Sequence, residues 1–555
     1  MKGKCNARRF GVPVLAALLA LMLALAAAGC GGGEDEEAAT PAGGGTPGKT
    51  TPQATTAATP KAGGTLHYAT EGDFATMDIH IEQEPHTQPM LNKVYNGLLR
   101  TVWDTRYPEP KAPQIVGDLA KSWEQPDATT YIFHLNEGVK FQNVTPINGR
   151  ECTAEDVKYS YERMLKPPAI LRSQFADVTS VEAVDKYTVK FTLKQPNAPF
   201  LAWVAYPWAG IIPKELVDQN LIKKQAIGTG PFILENVTAG VGATLKKNPD
   251  FFRKDADGNP LPYLDEIDWP IIKDSATRLA AFRSKKIDVG GASQTQLGPL
   301  RGTNPDMVTY NYQVPYFVEI DLNCTKAPLN DVRVRQAIKF GSYWKEYADV
   351  LALGAAEQCG PLATLKEWAL PASELPQQDI AKARQLLADA GYPDGLKLVA
   401  KVTAFPQGTT LAPVYKEQMK KIGIDIEIQN METLPWMADV YGTKRNYETS
   451  IHYHYGYTDP DGYLYSFFHS KGSESSTGYS NPTVDDLLDK QRKEMDKAKR
   501  KEYLLEIQRI LLDESPFVWL HTTSLTATLQ PNVHGWMPQP LFAYDPGPAE
   551  VMWLD

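Results

Sequence analysis

The stretch Lys420-Lys421-Ile422-Gly423-Ile424-Asp425-Ile426-Glu427-Ile428 decides the fold class, because a helix ends in it and a strand begins. Residues from about 415 to 422 are predicted to be helical, and glycine is a common residue just beyond a helix C-terminus. After the glycine, isoleucines alternate with acidic residues, as in a half-buried strand. A helix that runs directly into a strand is typical of α/β proteins, so the sequence predicts an α/β fold.

The same alternation of helices and strands extends along the chain in both directions. Strands are predicted at 63–69, 131–135, 187–193 and 517–520, and helices at 484–495 and 502–512. Further helices are predicted to follow Thr153, Asp331 and Asp379, since these residue types cap helix N-termini. No repeat of fixed period appears, which excludes a solenoid.

The chain is long and mildly acidic. It has 555 residues, of which 43% are hydrophobic, and a formal net charge of −9. The part after about residue 61 is long enough for a large core divided between more than one lobe. No basic stripe of the kind that contacts a phosphate backbone is present, so nucleic acid is not an expected partner.

Residues 1–29 have the three parts of an export signal: basic residues, an apolar block from Phe10 to Ala26, and small residues directly before Cys30. They resemble a bacterial lipoprotein signal peptide, which implies cleavage before Cys30 and lipidation of that cysteine. The protein would then be lipid-anchored to the cell membrane, in the periplasm or at the outer face. The apolar block is nearly as long as a spanning helix, so a retained membrane anchor is the alternative. Arg8 and Arg9 also fit a twin-arginine signal loosely.

Residues 30–61 are rich in Gly, Pro and Thr and predict a flexible linker. Gly43 to Thr50 match the phosphate-loop pattern G-x-x-x-x-G-K-T, but the strand and helix that this loop requires are missing from its flanks. We therefore expect no nucleotide site.

Three cysteines follow the linker: Cys152, Cys324 and Cys359. One disulfide and one free thiol is the first interpretation, and Cys324–Cys359 is the favoured pair because both lie in the same half of the chain. Three buried, reduced thiols are the alternative.

Short motifs follow one another in a characteristic order from residue 63 to residue 337. They are Gly63-Gly64-Thr65-Leu66, Val94-Tyr95-Asn96-Gly97-Leu98-Leu99-Arg100, Leu119-Ala120-Lys121-Ser122-Trp123-Glu124, Tyr131 to Phe141, Thr153-Ala154-Glu155-Asp156-Val157, Gly228-Thr229-Gly230-Pro231-Phe232, Leu264-Asp265-Glu266-Ile267 and Asp331-Val332-Arg333-Val334-Arg335-Gln336-Ala337. Together they resemble the large solute-binding proteins of ATP-driven importers, solute-binding family 5, which takes up oligopeptides, dipeptides and nickel. The resemblance covers about residues 62–555.

This resemblance implies a two-lobed fold like that of the periplasmic binding proteins, type II, in the large cluster with an extra subdomain in lobe I. Lobe I would take residues 62–310, with the subdomain at about 97–205, and lobe II residues 311–520. Residues 521–555 would return to lobe I. The implied function is capture of a peptide-like solute between the lobes by a monomer, which delivers it to an ABC permease without catalysis or cofactor. An oligosaccharide or a nickel chelate is the alternative cargo.

The densest candidate for a solute-binding segment runs from Ile451 to Pro460, because aromatic rings there offer wide, stiff contact area. In an extended strand Tyr453 and Tyr455 share one face, and His452 and His454 share the other. Only one pair can then face a solute, unless the chain bends at Gly456. An aromatic strand packed into a core remains the alternative. The predicted ligand-binding residues are Tyr453, His454, Tyr455, Tyr457, Asp459, Trp436 and Glu71.

One position departs from the family pattern. In the peptide-binding members that hold a free α-amino group, an acidic residue lies three positions before the Asp of an Asp-Pro pair. Here Gly456 occupies that position, which puts the usual amine clamp in doubt, since a buried ammonium needs a carboxylate. Glu448 and Asp461 are the nearby carboxylates that could replace it.

A secreted hydrolase is the alternative from another functional class. The chain contains neither a G-x-S-x-G elbow nor an H-E-x-x-H zinc helix. His452 and His454 could ligate a metal ion from one strand face, but two ligands fall short of a site. We therefore predict no metal and no catalytic residues.

Overall fold

Strands and helices alternate along residues 59–555, the part of the chain that the computed structural model describes. Within this range residues 83, 107–110, 352–355, 404–405, 442–443, 540, 542–544 and 546 are not described, nor are the side chains of 294, 406, 407, 453 and 455. The predicted signal peptide, Cys30 and nearly all of the linker lie outside the described residues. None of the helices within them combines the length and apolar character needed to cross a bilayer.

The strands of the described residues are numbered in chain order. They are β1 Thr65–His67, β2 Leu99–Val102, β3 Gln114–Gly117, β4 Ala120–Asp127, β5 Thr130–Leu135, β6 Val178–Asp185, β7 Thr188–Leu193, β8 Phe232–Thr238, β9 Gly242–Lys247, β10 Glu266–Pro270, β11 Val289–Gly291, β12 Val308–Leu322, β13 Leu396–Thr403, β14 Ile424–Met431, β15 Thr449–Tyr455, β16 Phe517–Leu529, β17 Val533–His534 and β18 Trp553–Leu554.

The helices are numbered in the same way. They are α1 Thr87–Leu91, α2 Ala154–Met164, α3 Phe200–Val204, α4 Lys214–Asp218, α5 Ser275–Arg283, α6 Gln294–Thr303, α7 Val332–Gly341, α8 Trp344–Leu351, α9 Ile380–Asp389, α10 Pro406–Lys420, α11 Thr433–Val440, α12 Pro460–Phe468, α13 Pro482–Lys493 and α14 Lys497–Glu514. Short 3₁₀ turns lie at Ile170–Arg172 and Ala372–Glu374.

Two four-stranded sheets share one hydrophobic core in the first half of the chain, which we call the lobe I core. One sheet has the order β1-β10-β9-β8, and the other, β4-β5-β7-β6, is antiparallel throughout. Helix α2 packs on the second sheet, and its residue Tyr161 meets Phe191 edge-on at a ring-centroid distance of 4.8 Å. This second sheet lies inside the segment predicted as the extra subdomain.

A six-stranded sheet of order β11-β16-β12-β15-β13-β14 dominates the second half of the chain. Its two faces are covered by separate hydrophobic clusters, which we call the lobe II cores. Val318 and Ile320 of β12 belong to one core, while Phe317 belongs to the other, as the alternation of side chains along a strand requires.

Strands β12 and β16 connect the two halves. They pair antiparallel from Val308 with Leu529 to Asp321 with Phe517, and the register shifts between Val314 and Phe317. Residues near one end of this pair, such as Val314, pack into the lobe I core, whereas residues near the other end pack into the lobe II cores. The predicted lobe boundaries at 310/311 and 520/521 therefore fall inside paired strands.

Local structure agrees with the sequence at several helix ends. Thr153 caps α2 in a capping box, and its backbone N–H donates to the Asp156 carboxylate over 3.0 Å. Asp331 and Asp379 cap α7 and α9 as predicted. Gly423, with φ of +93°, joins α10 to β14, where only glycine adopts the required backbone conformation without strain. Helix α10 starts earlier than predicted, and β16 extends to Leu529 instead of ending near residue 520.

The predicted Cys324–Cys359 disulfide is wrong, because all three cysteines among the described residues are free. Cys324 lies beyond the end of β12, next to the point where Leu322 donates to the carbonyl of Pro516. Cys359 instead donates its N–H to the carbonyl of Leu520, which lies four residues after Pro516 in the chain. Pro516 and Leu520 are about 13 Å apart along a strand that rises about 3.3 Å per residue, so the two cysteines approach positions further apart than a disulfide spans.

Candidate functional site

The segment predicted to bind solute forms β15, a short turn and the start of α12. Asp459 caps α12 by accepting a hydrogen bond from Asp461 N–H over 2.9 Å. Arg500 donates two hydrogen bonds to the same carboxylate, over 2.6 and 2.8 Å. Asp459 thus fixes the geometry of the turn, and it also borders a cavity described below.

Tyr457 extends from this turn to aromatic residues of the first half of the chain. Its ring stacks on Tyr206 at 6.2 Å, and Tyr206 stacks on Trp208 at 5.1 Å. Trp203 meets Tyr457 edge-on at 6.1 Å. We call these four side chains the aromatic column. It brings residues of the lobe I core against the turn that follows β15.

Gly456 lies against the strand that joins the two halves. Its N–H donates to the Pro315 carbonyl of β12, and a Cβ at position 456 would lie 2.4 Å from that oxygen. A carboxylate side chain therefore does not fit here without a backbone shift. Of the two suggested replacements, Glu448 accepts from Val399 N–H over 2.6 Å and Asp461 pairs with Arg492 over 2.7 Å.

Glu474 provides a carboxylate that the sequence did not single out. The Tyr457 hydroxyl donates to it over 3.3 Å, which places it beside the aromatic column. Desolvation raises the pKa of Glu474 above its usual range, and the nearby His454 lowers it by a smaller amount. A cationic group arriving beside this carboxylate would favour its ionised form.

His454 is buried inside lobe II and packs edge-on against Phe467 at 4.2 Å. Burial lowers the pKa of its imidazole to about 4. His452 is also buried, so these two histidines share the inward face of β15. The side chains of Tyr453 and Tyr455 lie outside the described residues; their backbones pair with Val318 and Tyr316.

The remaining predicted residues lie elsewhere. Trp436 is buried in lobe II, where its indole N–H lies 3.2 Å from the Ser450 hydroxyl. Glu71 lines a cavity of about 470 Å³, here called the lobe I cavity, and forms an ion pair with Arg278 over 2.5 Å. The structure therefore brings Tyr457 and Asp459 together but separates them from Trp436 and Glu71.

A second cavity, of about 400 Å³, lies between the two halves of the chain, and we call it the interlobe cavity. One wall comes from Thr101, Trp103, Thr105, residues 111–113, Ile115 and Ala202, and the other from residues 364–368 with Thr458 and Asp459. Gln313 of β12, one of the two connecting strands, also lines the cavity. Ala202 and Thr458 directly adjoin Trp203 and Tyr457 in the sequence, so residues that line this cavity are chain neighbours of the aromatic column.

Sequence reasoning missed most of the residues around this cavity. Trp103, Lys111 and Trp368 line it, and none carries a motif of its own. The aromatic run from Trp203 to Trp208 was the available signal, since three aromatic side chains within six residues are uncommon in a surface loop.

Comparison with known proteins decides which family this architecture belongs to. The model of the bacterial extracellular solute-binding proteins, family 5 (middle region), matches residues 114–475. The chain belongs to this family. As a family 5 protein it is an extracytoplasmic solute-binding component of an ABC importer and not an enzyme. This confirms the predicted α/β periplasmic-binding-protein fold and excludes the hydrolase alternative.

Individual family 5 members are similar over most of their length. The probable D,D-dipeptide-binding periplasmic protein DdpA of Escherichia coli K12 is 27% identical over 77% of this chain and 83% of its own. The glutathione-binding protein GsiB of Salmonella typhimurium is 26% identical over 86% of this chain and 93% of its own. The structure of DppA from Helicobacter pylori in complex with the peptide STSA superposes with a TM-score of 0.75 at 25% identity, over 89% of this chain and 98% of that one.

Proposed function

We propose that the chain binds a peptide-like solute in the interlobe cavity and delivers it to an ABC permease. The observation that carries this proposal is the lining of the cavity, whose opposite walls belong to the two halves of the chain. A solute that touches both walls stabilises the closed arrangement, and a permease can then recognise that arrangement. The volume of about 400 Å³ is in the range of small-molecule sites.

The chemistry of the cavity suits a short peptide. Trp103 and Trp368 offer apolar walls, and Lys111 supplies a cation for a carboxylate group. The polar backbone of a peptide could bond to Gln313 and Thr458. The solutes named for the similar proteins, a D,D-dipeptide, glutathione and the peptide STSA, support the same class.

We propose Glu474 as the carboxylate that contacts the amino group of the solute, in place of a side chain at position 456. Its carboxylate accepts a hydrogen bond from Tyr457, and the next residue in the chain, Thr458, lines the cavity. The variant Glu474→Gln should weaken binding of peptides with a free amino group at least about 10-fold. N-acetylated peptides should bind both proteins equally in isothermal calorimetry; an equal loss for both ligand classes would contradict this role.

The site can be tested by filling each cavity in turn. The purified protein is first screened by thermal shift against pools of peptides, oligosaccharides and nickel chelates, since a saturating ligand raises the midpoint by mass action. Thr458→Phe fills the interlobe cavity and should abolish the shift. Ala292→Phe fills the lobe I cavity and should leave it unchanged. The opposite pattern would place the solute in the lobe I cavity and overturn the proposed site.

The N-terminal segment completes the proposal. Cys30 would carry the lipid anchor, and residues 30–61 would form a spacer between the membrane and lobes at 62–310 and 311–520, with 521–555 returning to lobe I. The protein would act as a monomer at the membrane that holds the permease. Cys30→Ser should release it from the membrane fraction and abolish labelling by radioactive palmitate; unchanged labelling would refute the assignment.

A further inference from the structure

A cluster of two carboxylates and two histidines lies inside lobe II, and we call it the histidine–carboxylate cluster. Strand β12 contributes Glu319 and Asp321, and β15 contributes His452 and His454. The register pairs Glu319 with His452, so residues two apart on both strands share one face of the sheet. The four side chains are between 0 and 6% exposed.

The polar atoms of the cluster converge. His454 Nδ1 lies 3.1 Å from Glu319 Oε1, and His452 Nε2 lies 3.1 Å from Asp321 Oδ1. One nitrogen of each histidine and one Glu319 oxygen all lie within 4.8 Å of one another. Ligands of a tetrahedral zinc ion are about 3.3 Å apart, so the longest separation has to shorten by at most about 1.5 Å.

Neighbouring groups hold the ligand atoms in orientation. The Asp321 carboxylate faces Nε2 of His452, and the Tyr441 hydroxyl lies 3.3 Å from its other nitrogen, Nδ1, so a metal ion bound to Nδ1 takes the place of that hydroxyl contact. The Tyr463 hydroxyl donates to Glu319 Oε2 over 3.0 Å, which leaves Oε1 directed at His454. A carboxylate behind a ligating histidine is the usual arrangement around protein-bound metals.

The charges of the cluster also call for a cation. No arginine or lysine in the described part of the chain forms an ion pair with Glu319 or Asp321, although both side chains are fully buried. Two buried carboxylates repel each other and cannot be solvated. A divalent ion beside two neutral histidines would balance them.

We propose that Glu319, His452 and His454 bind one divalent transition-metal ion, with Asp321 positioning His452. Two imidazole nitrogens and one carboxylate oxygen favour zinc over calcium or magnesium. Because the cluster is buried, the ion enters as lobe II folds. Once bound, it ties β15 to the lobe II end of β12, one of the two strands that connect the lobes. This site is independent of the proposed solute and of the interlobe cavity.

The test starts from the whole protein, unfolded in guanidinium with chelator and refolded with either Zn²⁺ or Co²⁺. After desalting, mass spectrometry of the metals should find about one ion per chain. The cobalt form should show the visible absorption bands of a four-coordinate ion, and the zinc form should unfold at a higher temperature than protein refolded with chelator. Wild-type protein that retains no stoichiometric metal overturns the proposal.

Variants identify the ligands. His452→Gln and His454→Gln should each lose the bound ion, and Asp321→Asn should weaken zinc affinity about 10- to 100-fold. His521→Gln is the matched control, because His521 is also buried in the same sheet but lies outside the cluster. Retention of stoichiometric metal by the His452→Gln/His454→Gln double variant, or loss in His521→Gln alone, contradicts the assignment. Circular dichroism checks that each variant is folded.

Discussion

Each lobe buries a histidine beside a carboxylate, but the two lobes balance the charges differently. In lobe I, Arg163 donates to Asp78 over 2.9 Å and to His80 Nδ1 over 2.7 Å. His80 Nε2 donates to the Gly210 carbonyl over 2.8 Å, so its tautomer is fixed and neutral. In lobe II, the carboxylates of Glu319 and Asp321 lie beside histidines and hydroxyl groups, and no arginine or lysine of the described residues pairs with them.

This difference shows what an arginine does in a buried polar cluster. The guanidinium of Arg163 neutralises Asp78 permanently. Burial, and to a smaller extent the charge of Arg163, lower the pKa of His80 to about 4. The lobe I cluster is therefore complete at neutral pH without any added ion. The lobe II cluster has two acids and no such fixed cation among its described neighbours, which is why a metal ion fits there and not in lobe I.

Removal of the arginine should have the largest effect. Arg163→Met leaves Asp78, which is 1% exposed, without its cation, and should lower the free energy of unfolding by about 3 kcal/mol or more. Chemical denaturation of the variant measures this loss. Arg172→Met, an exposed arginine nearby, should change stability by less than about 0.5 kcal/mol. Equal losses in both variants would mean that Arg163 does not balance a buried charge.

Acidification should destabilise lobe I because it favours protonation of His80. Because the folded-state pKa is about 4 and the unfolded value is 6.5, the unfolded chain binds a proton between these limits and the native one does not. The contribution of His80 to the free energy of unfolding is therefore fully present above pH 6.5. It falls as the pH decreases to about 4, by about 3 kcal/mol in all. Denaturation curves across this range, compared with His80→Gln, isolate the contribution. The same pH dependence of the unfolding free energy in wild type and His80→Gln would refute this contribution.

The sequence predicted the elements of the fold better than their connections. Gly423 marks the joint of α10 and β14 by a local rule, and Thr153 and Asp331 mark helix starts in the same way. The second half of β16 was missed because residues 521–524 carry no apolar side chain and interrupt the pattern, although Leu525, Ala527 and Leu529 alternate with threonines beyond them. These residues are buried by both halves of the chain, and that is a tertiary effect.

The sites were predicted in part, for a related reason. The alternation of His452 and His454 was visible, and so was the alternation of acidic residues in Val318 to Leu322, but their pairing joins positions more than 100 residues apart. No short-range feature of the sequence indicates which residues of the two strands pair. The Asp-Pro turn was recognisable as a sequence motif, whereas Glu474 comes close to this turn only in the folded chain, where it contacts Tyr457.

The smallest expected effect is the most direct check on the comparison. Glu319→Gln keeps an acceptor for Tyr463 and removes a charge that no arginine or lysine balances, so metal-free protein should change in unfolding free energy by less than about 1 kcal/mol. The same change in lobe I, Asp78→Asn, leaves Arg163 without its carboxylate and should cost about 3 kcal/mol. Denaturant titration of both variants in chelator measures the contrast. A loss in Glu319→Gln as large as in Asp78→Asn would show that the lobe II carboxylate already has a fixed cation, and the distinction between the two clusters would fail.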